Sequence, residues 1–150
     1  MLPESSYYLI KLNTYQHEPL FGSFDGTCIQ LTDAGHIAAD EWLRCISNYS
    51  ALDVDQWLLL PDRLEGLVSI CETKPNPYTE RSSKPRLLSS FVASYKAAAA
   101  KRINLFRNQP GGAIWQRSYQ ERFIPDEAVL QRVRRLLQSQ TAQQSIVRPV

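Results

Sequence analysis

The sequence predicts an α+β domain with a largely antiparallel sheet, and three patterns support this prediction. Two apolar runs of strand length, 58–60 and 64–70, flank a Pro-Asp pair and indicate two strands that meet at a turn. An Asp-Gly pair at 25–26 stands between short apolar segments, which is typical of a tight hairpin. Apolar residues recur at three- and four-residue intervals from about Leu87 to Phe106, as they do in a long amphipathic helix.

The first half of the chain alternates strands and a helix. Residues 7–12 are rich in aromatic and β-branched side chains and are predicted to form the first strand. After the hairpin, Thr32 or Asp33 can cap a helix that ends near Ile46. The apolar side of this helix would consist of Ala34, Ala38, Trp42 and Cys45. Residues 53–60 resume β structure and lead into the strand that carries Arg63.

The second half is predicted to be mainly helical. Residues 71–85 place three prolines among polar residues and are predicted to form a surface loop before the long helix. Residues 114–124 alternate imperfectly and are predicted to be extended, and Pro125 followed by two acids favours the start of a last helix. Its apolar stripe would consist of Val129, Val133, Leu136 and Leu137. Residues 138–150 are polar and are predicted to be a frayed tail of a single domain that spans 1–150.

The overall composition is that of a soluble globular protein. Of 150 residues, 43% are apolar and 21% are charged, and no apolar run approaches the roughly 20 residues that span a bilayer. The amino-terminal residues do not have the form of a signal peptide, so we expect a cytoplasmic protein without a membrane partner. Cys28, Cys45 and Cys71 are widely spaced, which favours reduced cysteines that serve as small core residues.

Charge is distributed unevenly along the chain. Residues 1–80 contain four Lys or Arg against twelve acids, a net charge of −8, whereas residues 81–150 contain thirteen against three, a net charge of +10. Such a split suggests that the carboxy-terminal half could meet a polyanion. The two halves could equally neutralise one another across the fold, and the sequence leaves both alternatives open.

A charged pair interrupts the apolar pattern of the second strand. Side chains two positions apart point to the same face, so Arg63 and Glu65 project together. The two could form the solvated face of a half-buried strand, where charged residues are common. They could also mark a functional position, because a buried charge needs a partner.

The segment Pro61-Asp62-Arg63-Leu64-Glu65-Gly66 resembles the Pro-Asn-His-hydrophobic-His-Gly segment of the single-tyrosine HUH transposases, in particular the REP-associated tyrosine transposases. Residues 20–43, the long helix and the Trp-Gln-Arg-Ser-Tyr run at 115–119 are similar to further elements of that family, in the same order. The resemblance covers most of the chain. It implies a ferredoxin-like sandwich with helices on one face, the strand of Arg63 at its centre and the last helix across it.

The resemblance also implies a degenerate catalytic site. In the family, two histidines hold Mg²⁺ or Mn²⁺, and a tyrosine on the last helix attacks the phosphate to give a covalent phosphotyrosine. Arg63 and Glu65 stand at the histidine positions, Leu136 at the tyrosine position and Gln140 where an amide ligand is expected. A guanidinium stays protonated and repels a cation, so we expect no bound metal, no cofactor and no strand cleavage.

The first functional hypothesis is a transposase-like protein that retains binding of single-stranded or hairpin DNA. Phosphate contacts would come from Lys96, Lys101, Arg102, Arg117, Arg122, Arg132 and Arg135, and base stacking from Trp115 or Tyr119.

Two alternatives stay open. One is an active transposase with an unconventional site, for which Tyr119 or Tyr95 could serve as the nucleophile; the other is a structural or interaction protein without a DNA role. Neither His17 nor His36 has the spacing of a metal ligand pair. The resembling family contains monomers and dimers, so a homodimer is possible.

Overall fold

The computed structural model describes residues 5–24, 26, 28–71 and 83–144, which form two sheets and three α-helices. The elements in chain order are β1 (Ser5–Asn13), β2 (Gly22–Phe24), β3 (Ile29–Leu31), α1 (Asp33–Ser47), β4 (Leu52–Leu60), β5 (Arg63–Cys71), α2 (Ser83–Phe106), β6 (Gln120–Phe123) and α3 (Glu127–Gln144). A short 3₁₀ turn follows β1. The strand interpretation of 7–12 and 53–60 and the hairpin at 25–26 are confirmed, although Asp25 lies outside the described residues.

The main sheet has four strands in the order β4-β5-β1-β6, and every pair is antiparallel. The two central strands are therefore β5, which follows the Pro-Asp turn, and β1. Their register places Leu9 opposite Leu67 and Lys11 opposite Glu65. The predicted α+β class with a largely antiparallel sheet is confirmed.

Both faces of this sheet are covered by helices. On β5, Leu64 and Val68 pack with α1 and α2 in the larger core, whereas Leu67 packs with α3 in a smaller core on the opposite face. The expectation that the helices share one face holds for α1 and α2 and is wrong for α3. The physical reason is that the other face carries its own apolar residues, including Leu58 and Leu60, which α3 removes from water. We refer to the two sides as the α1/α2 face and the α3 face.

Three predicted boundaries are wrong. The loop predicted at 71–85 overlaps regular structure at both ends, because Cys71 belongs to β5 and α2 begins at Ser83; residues 72–82 lie outside the described part. Proline is tolerated in the first turn of a helix, so Pro85 does not stop α2. The predicted frayed tail is helical as far as Gln144, and residues 145–150 are not described. Of the extended element predicted at 114–124, residues 120–123 form β6, and Trp115 forms an isolated antiparallel bridge with Thr14.

The packing of α1 fixes the larger core. Thr32 caps the helix by accepting a hydrogen bond from the Gly35 amide at 3.0 Å, as predicted. The indole of Trp42 is fully buried, and its ring centroid lies 5.3 Å from those of both Phe91 and Tyr95. Trp42 also lies directly against Gly66 of β5, so this strand position has no room for a side chain. A glycine at 66 is therefore explained by packing.

We expect Gly66→Ala to lower the free energy of unfolding by about 1–3 kcal/mol, which is typical of an overpacked core. The added Cβ would lie 2.9 Å from Trp42 Cζ2 and 3.1 Å from Cη2, closer than side-chain atoms normally approach. Urea unfolding of Gly66→Ala in the wild-type and Trp42→Phe backgrounds measures the coupling between these two residues. Phenylalanine lacks the two crowded atoms, so the penalty should shrink in that background; an equal penalty in both would contradict this account.

Candidate functional site

The first residues of β5 form an ion pair on the α3 face. Arg63 Nε donates to Glu65 Oε2 at 2.8 Å, and Arg63 Nη1 donates to Asp62 Oδ1 at 2.9 Å. The Arg63 side chain is 32% exposed and that of Glu65 13% exposed, so the carboxylate is the more deeply placed group. Burial alone lowers the pKa of Arg63, but the hydrogen bonds and charges of Glu65 and Asp62 outweigh it and raise this pKa overall.

The sheet register defines the immediate neighbours of this ion pair. Lys11 lies directly opposite Glu65 on β1, and Asn13 lies opposite Arg63. Directly opposite residues of an antiparallel pair share a face, so all four side chains are on the α3 face. We call this group, Lys11, Asn13, Arg63 and Glu65, the Arg63 patch. It lies at the end of the sheet formed by the β4–β5 turn.

Helix α3 is held over this face by apolar contacts and by one ion pair. Leu130, Val133 and Leu137 are buried in the smaller core. Arg134 binds both carboxylate oxygens of Asp55, with Nε–Oδ1 at 3.0 Å and Nη2–Oδ2 at 2.7 Å. Its guanidinium carbon also lies 5.7 Å from the centroid of the Tyr7 ring. The hydrogen bond to Asp55 raises the pKa of Arg134, which keeps this side chain charged.

Leu136 was predicted to belong to the apolar stripe of α3, and this is wrong. Its side chain is 57% exposed, and Leu130 takes the buried position instead. At about 100° per residue, Leu136 falls on the flank of α3 opposite Arg134. Arg134 points to Asp55 and Tyr7, near the starts of β4 and β1. The flank that carries Leu136 therefore faces the other end of the sheet, where the β4–β5 turn lies.

Gln140 lies one turn after Leu136. Its Oε1 atom is buried and accepts no hydrogen bond from any residue in the described part of the chain. Of the four positions singled out by the resemblance, Arg63 and Glu65 are in contact with each other. Leu136 and Gln140 belong to α3, which covers the face of the sheet that carries Arg63 and Glu65.

Two of the cations that the sequence indicated as phosphate ligands are used inside the fold. Lys96 Nζ donates to the carbonyl oxygens of Gln116 at 2.7 Å and Ser118 at 3.3 Å, and burial lowers the pKa of Lys96. Arg102 Nη1 contacts Asp40 Oδ2 at 2.6 Å and Glu41 Oε1 at 2.8 Å. These internal contacts use part of the hydrogen-bonding capacity of both cations, and their contact with phosphate stays a prediction.

The other indicated cations are exposed and fall on different sides of the molecule. Arg122 lies opposite Leu9 and therefore on the α3 face, and Arg132 and Arg135 are exposed on α3 itself. Lys101 is on the solvent side of α2, over the other face, and Arg117 is exposed in the segment before β6. None of these five forms an ion pair with an acid of the described residues.

The aromatic residues indicated for base stacking or nucleophilic attack have structural roles. The Trp115 ring is half-buried, with its centroid 5.2 Å from that of Phe21 and 5.5 Å from that of Tyr95. The Tyr119 hydroxyl lies 3.4 Å from Ser89 Oγ on α2 and 3.3 Å from Glu121 Oε2, and burial raises the pKa of Tyr119. Tyr95 is fully buried and donates to the Ala38 carbonyl oxygen. Both hydroxyls thus bind groups on the α1/α2 face.

Sequence reasoning missed two residues of the α3 face. Lys11 was assigned only to a strand, and its place beside Glu65 depends on a strand pairing that spans more than fifty residues. Phe24 is 61% exposed at the end of β2, opposite Ile29 of the smaller core. An aromatic residue next to a hairpin turn is a weak signal, because it is as often buried as exposed.

The residues present do not fit the divalent metal that the resemblance implies. A guanidinium already holds the Glu65 carboxylate, and its positive charge repels a cation. Within the described ranges, no group of three His, Cys, Asp or Glu side chains could hold a metal ion. His17 Nε2 lies 3.2 Å from Gln116 Nε2, and His36 is exposed on α1.

Comparisons with known proteins identify the fold. No protein-family model matches the sequence. The chain is similar to an uncharacterized protein of Haemophilus influenzae, with 26% identity over 131 residues that cover 81% of this chain and 72% of that protein. The structure of the present chain is similar to that of the REP-associated tyrosine transposase bound to a REP hairpin. The TM-score is 0.57 and the identity 10%, over 95% of this chain and 70% of the transposase chain. The chain has a transposase-like fold.

This transposase-like fold agrees with the one that the sequence resemblance implied. A crystal structure of a presumed transposase from Deinococcus radiodurans is also similar, at a TM-score of 0.49 and 21% identity, over 93% of this chain and 92% of that one. None of the helices in the described part of the transposase-like chain combines the length and apolar character that a membrane span requires.

We expect Glu65→Gln to lower the free energy of unfolding by about 1–2 kcal/mol, because it leaves a partly buried guanidinium without its closest anion. Asp62→Asn is the matched control: it removes the other carboxylate of the same guanidinium at a more exposed position and should cost less than about 1 kcal/mol. Urea unfolding of both variants measures the difference. Equal effects would contradict the conclusion that Glu65 is the main partner of Arg63.

Proposed function

We propose that this protein binds single-stranded or hairpin DNA on its α3 face and does not cleave it. The observation that carries this proposal is the Arg63–Glu65 ion pair. By the sequence resemblance, these two residues occupy the positions of the two metal-binding histidines of the family. The reaction of that family requires a metal and a phenol, and the proposal is that this chain retains the binding surface without either.

The absence of a metal follows from charge. A cation placed beside Glu65 would also lie close to the Arg63 guanidinium, which is 2.8 Å from the carboxylate. Like unit charges about 4 Å apart repel by roughly 4 kcal/mol at the effective dielectric constant of a protein surface, and a divalent ion doubles this figure. Displacing Arg63 instead would forfeit its two hydrogen bonds. Both routes weaken a metal site strongly.

The absence of a nucleophile follows from the composition of α3. Leu136 has no group that can attack phosphorus, and the sequence contains no tyrosine after Tyr119. The hydroxyls of Tyr95 and Tyr119 are bound to groups on the other face of the sheet. These positions argue against an active transposase with an unconventional site.

Retained DNA binding is supported by the cations of the α3 face. Arg122 and Arg132 are exposed and form no ion pair with an acid of the described residues, and Lys11 belongs to the same face. Three acidic groups of the amino-terminal half, Asp40, Glu41 and Asp55, form ion pairs with Arg102 or Arg134, so the fold itself neutralises part of the charge asymmetry. The solved transposase with a similar fold was bound to a REP hairpin, which supports the choice of ligand.

We expect a fluorescently labelled DNA hairpin with a single-stranded extension to bind with a steep dependence on salt. If about four phosphates are neutralised, affinity should fall about 100-fold between 50 and 200 mM salt. Arg122→Gln and Arg132→Gln should each make the slope of log affinity against log salt shallower by roughly 0.7–0.9. Arg86→Gln and Lys101→Gln make the same charge change on the solvent side of α2 and should leave the slope unchanged.

Fluorescence anisotropy titrations of these variants at several salt concentrations make this measurement. No association at low salt would overturn the proposal and favour a structural or interaction protein without a DNA role. Equal effects of all four substitutions would show that binding follows net charge and does not involve the α3 face.

We expect the wild-type protein to form no covalent adduct with hairpin DNA in Mg²⁺ or Mn²⁺, as measured by nicking gels and intact-mass spectrometry. The combined substitutions Arg63→His and Glu65→His should create an affinity for Mn²⁺, because they restore two neutral ligands on one strand face. Saturating Mn²⁺ at 100 times the dissociation constant would then stabilise the double variant by about 2.7 kcal/mol, against no change for wild type. A metal-dependent wild-type adduct would contradict the proposal.

A further inference from the structure

Two exposed apolar side chains border the smaller core. Phe24, which is 61% exposed, lies directly opposite Ile29 in the β2–β3 hairpin, and paired residues of a hairpin share a face. Ile29 is 3% exposed and packs in the same core as Leu137 of α3. Leu136, the neighbour of Leu137, is 57% exposed. The hairpin and α3 therefore each place an uncovered apolar group beside one shared cluster.

The surroundings of Leu136 are cationic. Arg132 precedes Leu136 by one helical turn, so the two side chains lie on the same flank of α3. Arg132 and Arg135 are both exposed and form no ion pair with an acid of the described ranges. Within the helical segment 128–140 the charged residues are all arginines. An apolar surface edged by such residues suits a ligand that combines an apolar face with negative charge.

Gln140 adds an unsatisfied polar group on the same helix. Its Oε1 atom is buried and accepts no hydrogen bond from the residues that the structure describes, which is unfavourable for a buried acceptor. Gln140 follows Leu136 by one turn, so it lies on the same side of α3. Because this oxygen is buried, a donor group on a bound ligand reaches it only when the Gln140 side chain turns outward; exocyclic amines of nucleobases are such donors.

We propose that Phe24 and Leu136 form the contact surface for an unpaired nucleobase of the bound DNA. This inference rests on the proposed function and names the part of the nucleic acid that this end of the α3 face recognises. The base stacks on the Phe24 ring and covers Leu136, while the exposed arginines of α3 bind the flanking phosphates. Phe24 thereby takes the role that the sequence indicated for Trp115 or Tyr119.

A second copy of the chain suits this surface less well than a nucleotide. A two-fold interface brings the same surface of each copy together, so Arg132 and Arg135 would face like charges across the axis. A strand of DNA brings the opposite charge together with an aromatic face of its own. Stacking of a base on an aromatic side chain also contributes about 1–3 kcal/mol without requiring a particular base.

Two oligonucleotides of equal length and phosphate number test the proposal. One is a roughly twelve-residue oligo(dT), a length within the roughly 4–16 nucleotides that single-strand binding sites cover. The other has the same backbone with abasic residues. Phe24→Ala should weaken oligo(dT) binding about 5- to 100-fold, which corresponds to the loss of one stacked base. It should leave binding of the abasic strand and the salt dependence unchanged. Phe24→Trp should retain affinity, because it keeps an aromatic face.

Phe106→Ala is the matched control. Phe106 is 62% exposed at the end of α2, away from the α3 face, so its removal makes a similar change in exposed apolar surface and should not affect affinity. Circular dichroism and urea unfolding of each variant confirm that it remains folded.

Three outcomes would overturn the inference. Phe24→Ala could leave oligo(dT) affinity unchanged, or weaken both oligonucleotides equally. Sedimentation could also show a wild-type dimer that Phe24→Ala dissociates with no effect on DNA, which would assign the surface to self-association. If salt-dependent binding survives these results, only the stacking site is wrong; if wild type binds neither strand, the DNA-binding proposal is overturned with it.

Discussion

The structure depends on a strand that is covered on both sides. Because α1 and α2 pack on one face of β5 and α3 on the other, every side chain of its central part must be apolar, very small or paired. Gly66 meets this condition by having no side chain beneath Trp42, and Leu64 and Leu67 meet it by packing. Arg63 and Glu65 meet this condition by forming an ion pair with each other, at the end of the strand where the guanidinium is partly exposed.

Local patterns were enough to predict most of the fold. The period of two in the strands and the period of three and four in α2 are properties of short segments, and both were predicted correctly. Of the two caps predicted for α1, Thr32 and Asp33, the structure has Thr32. The position of α3 on the second face was not predicted, because it depends on which strands are adjacent. The stripe on α3 was predicted with Leu136 in place of Leu130, since a helical wheel does not show how far the underlying sheet extends.

The candidate site could be predicted only in part, for a related reason. Arg63 and Glu65 are two residues apart on one strand, so their contact follows from strand geometry alone. The contacts that the cations make within the fold could not be predicted, because Lys96 binds a backbone carbonyl twenty residues away and Arg102 binds acids of α1. Net charge therefore overstated the number of side chains that remain for a polyanion. The exposed arginines of the α3 face, together with Lys101 and Arg117, belong to the part of that charge that forms no ion pair with a described acid.

The ion pair between Arg134 and Asp55 has a consequence for the edges of the sheet. Asp55 lies where the register of β4 shifts, so this outer strand is irregular at the point where α3 is attached to it. The opposite edge is the four-residue β6, which carries charges of both signs. A long, flat and apolar edge would invite another chain to add a strand, and neither edge here has that form. The form of both edges thus disfavours the growth of this sheet into larger aggregates.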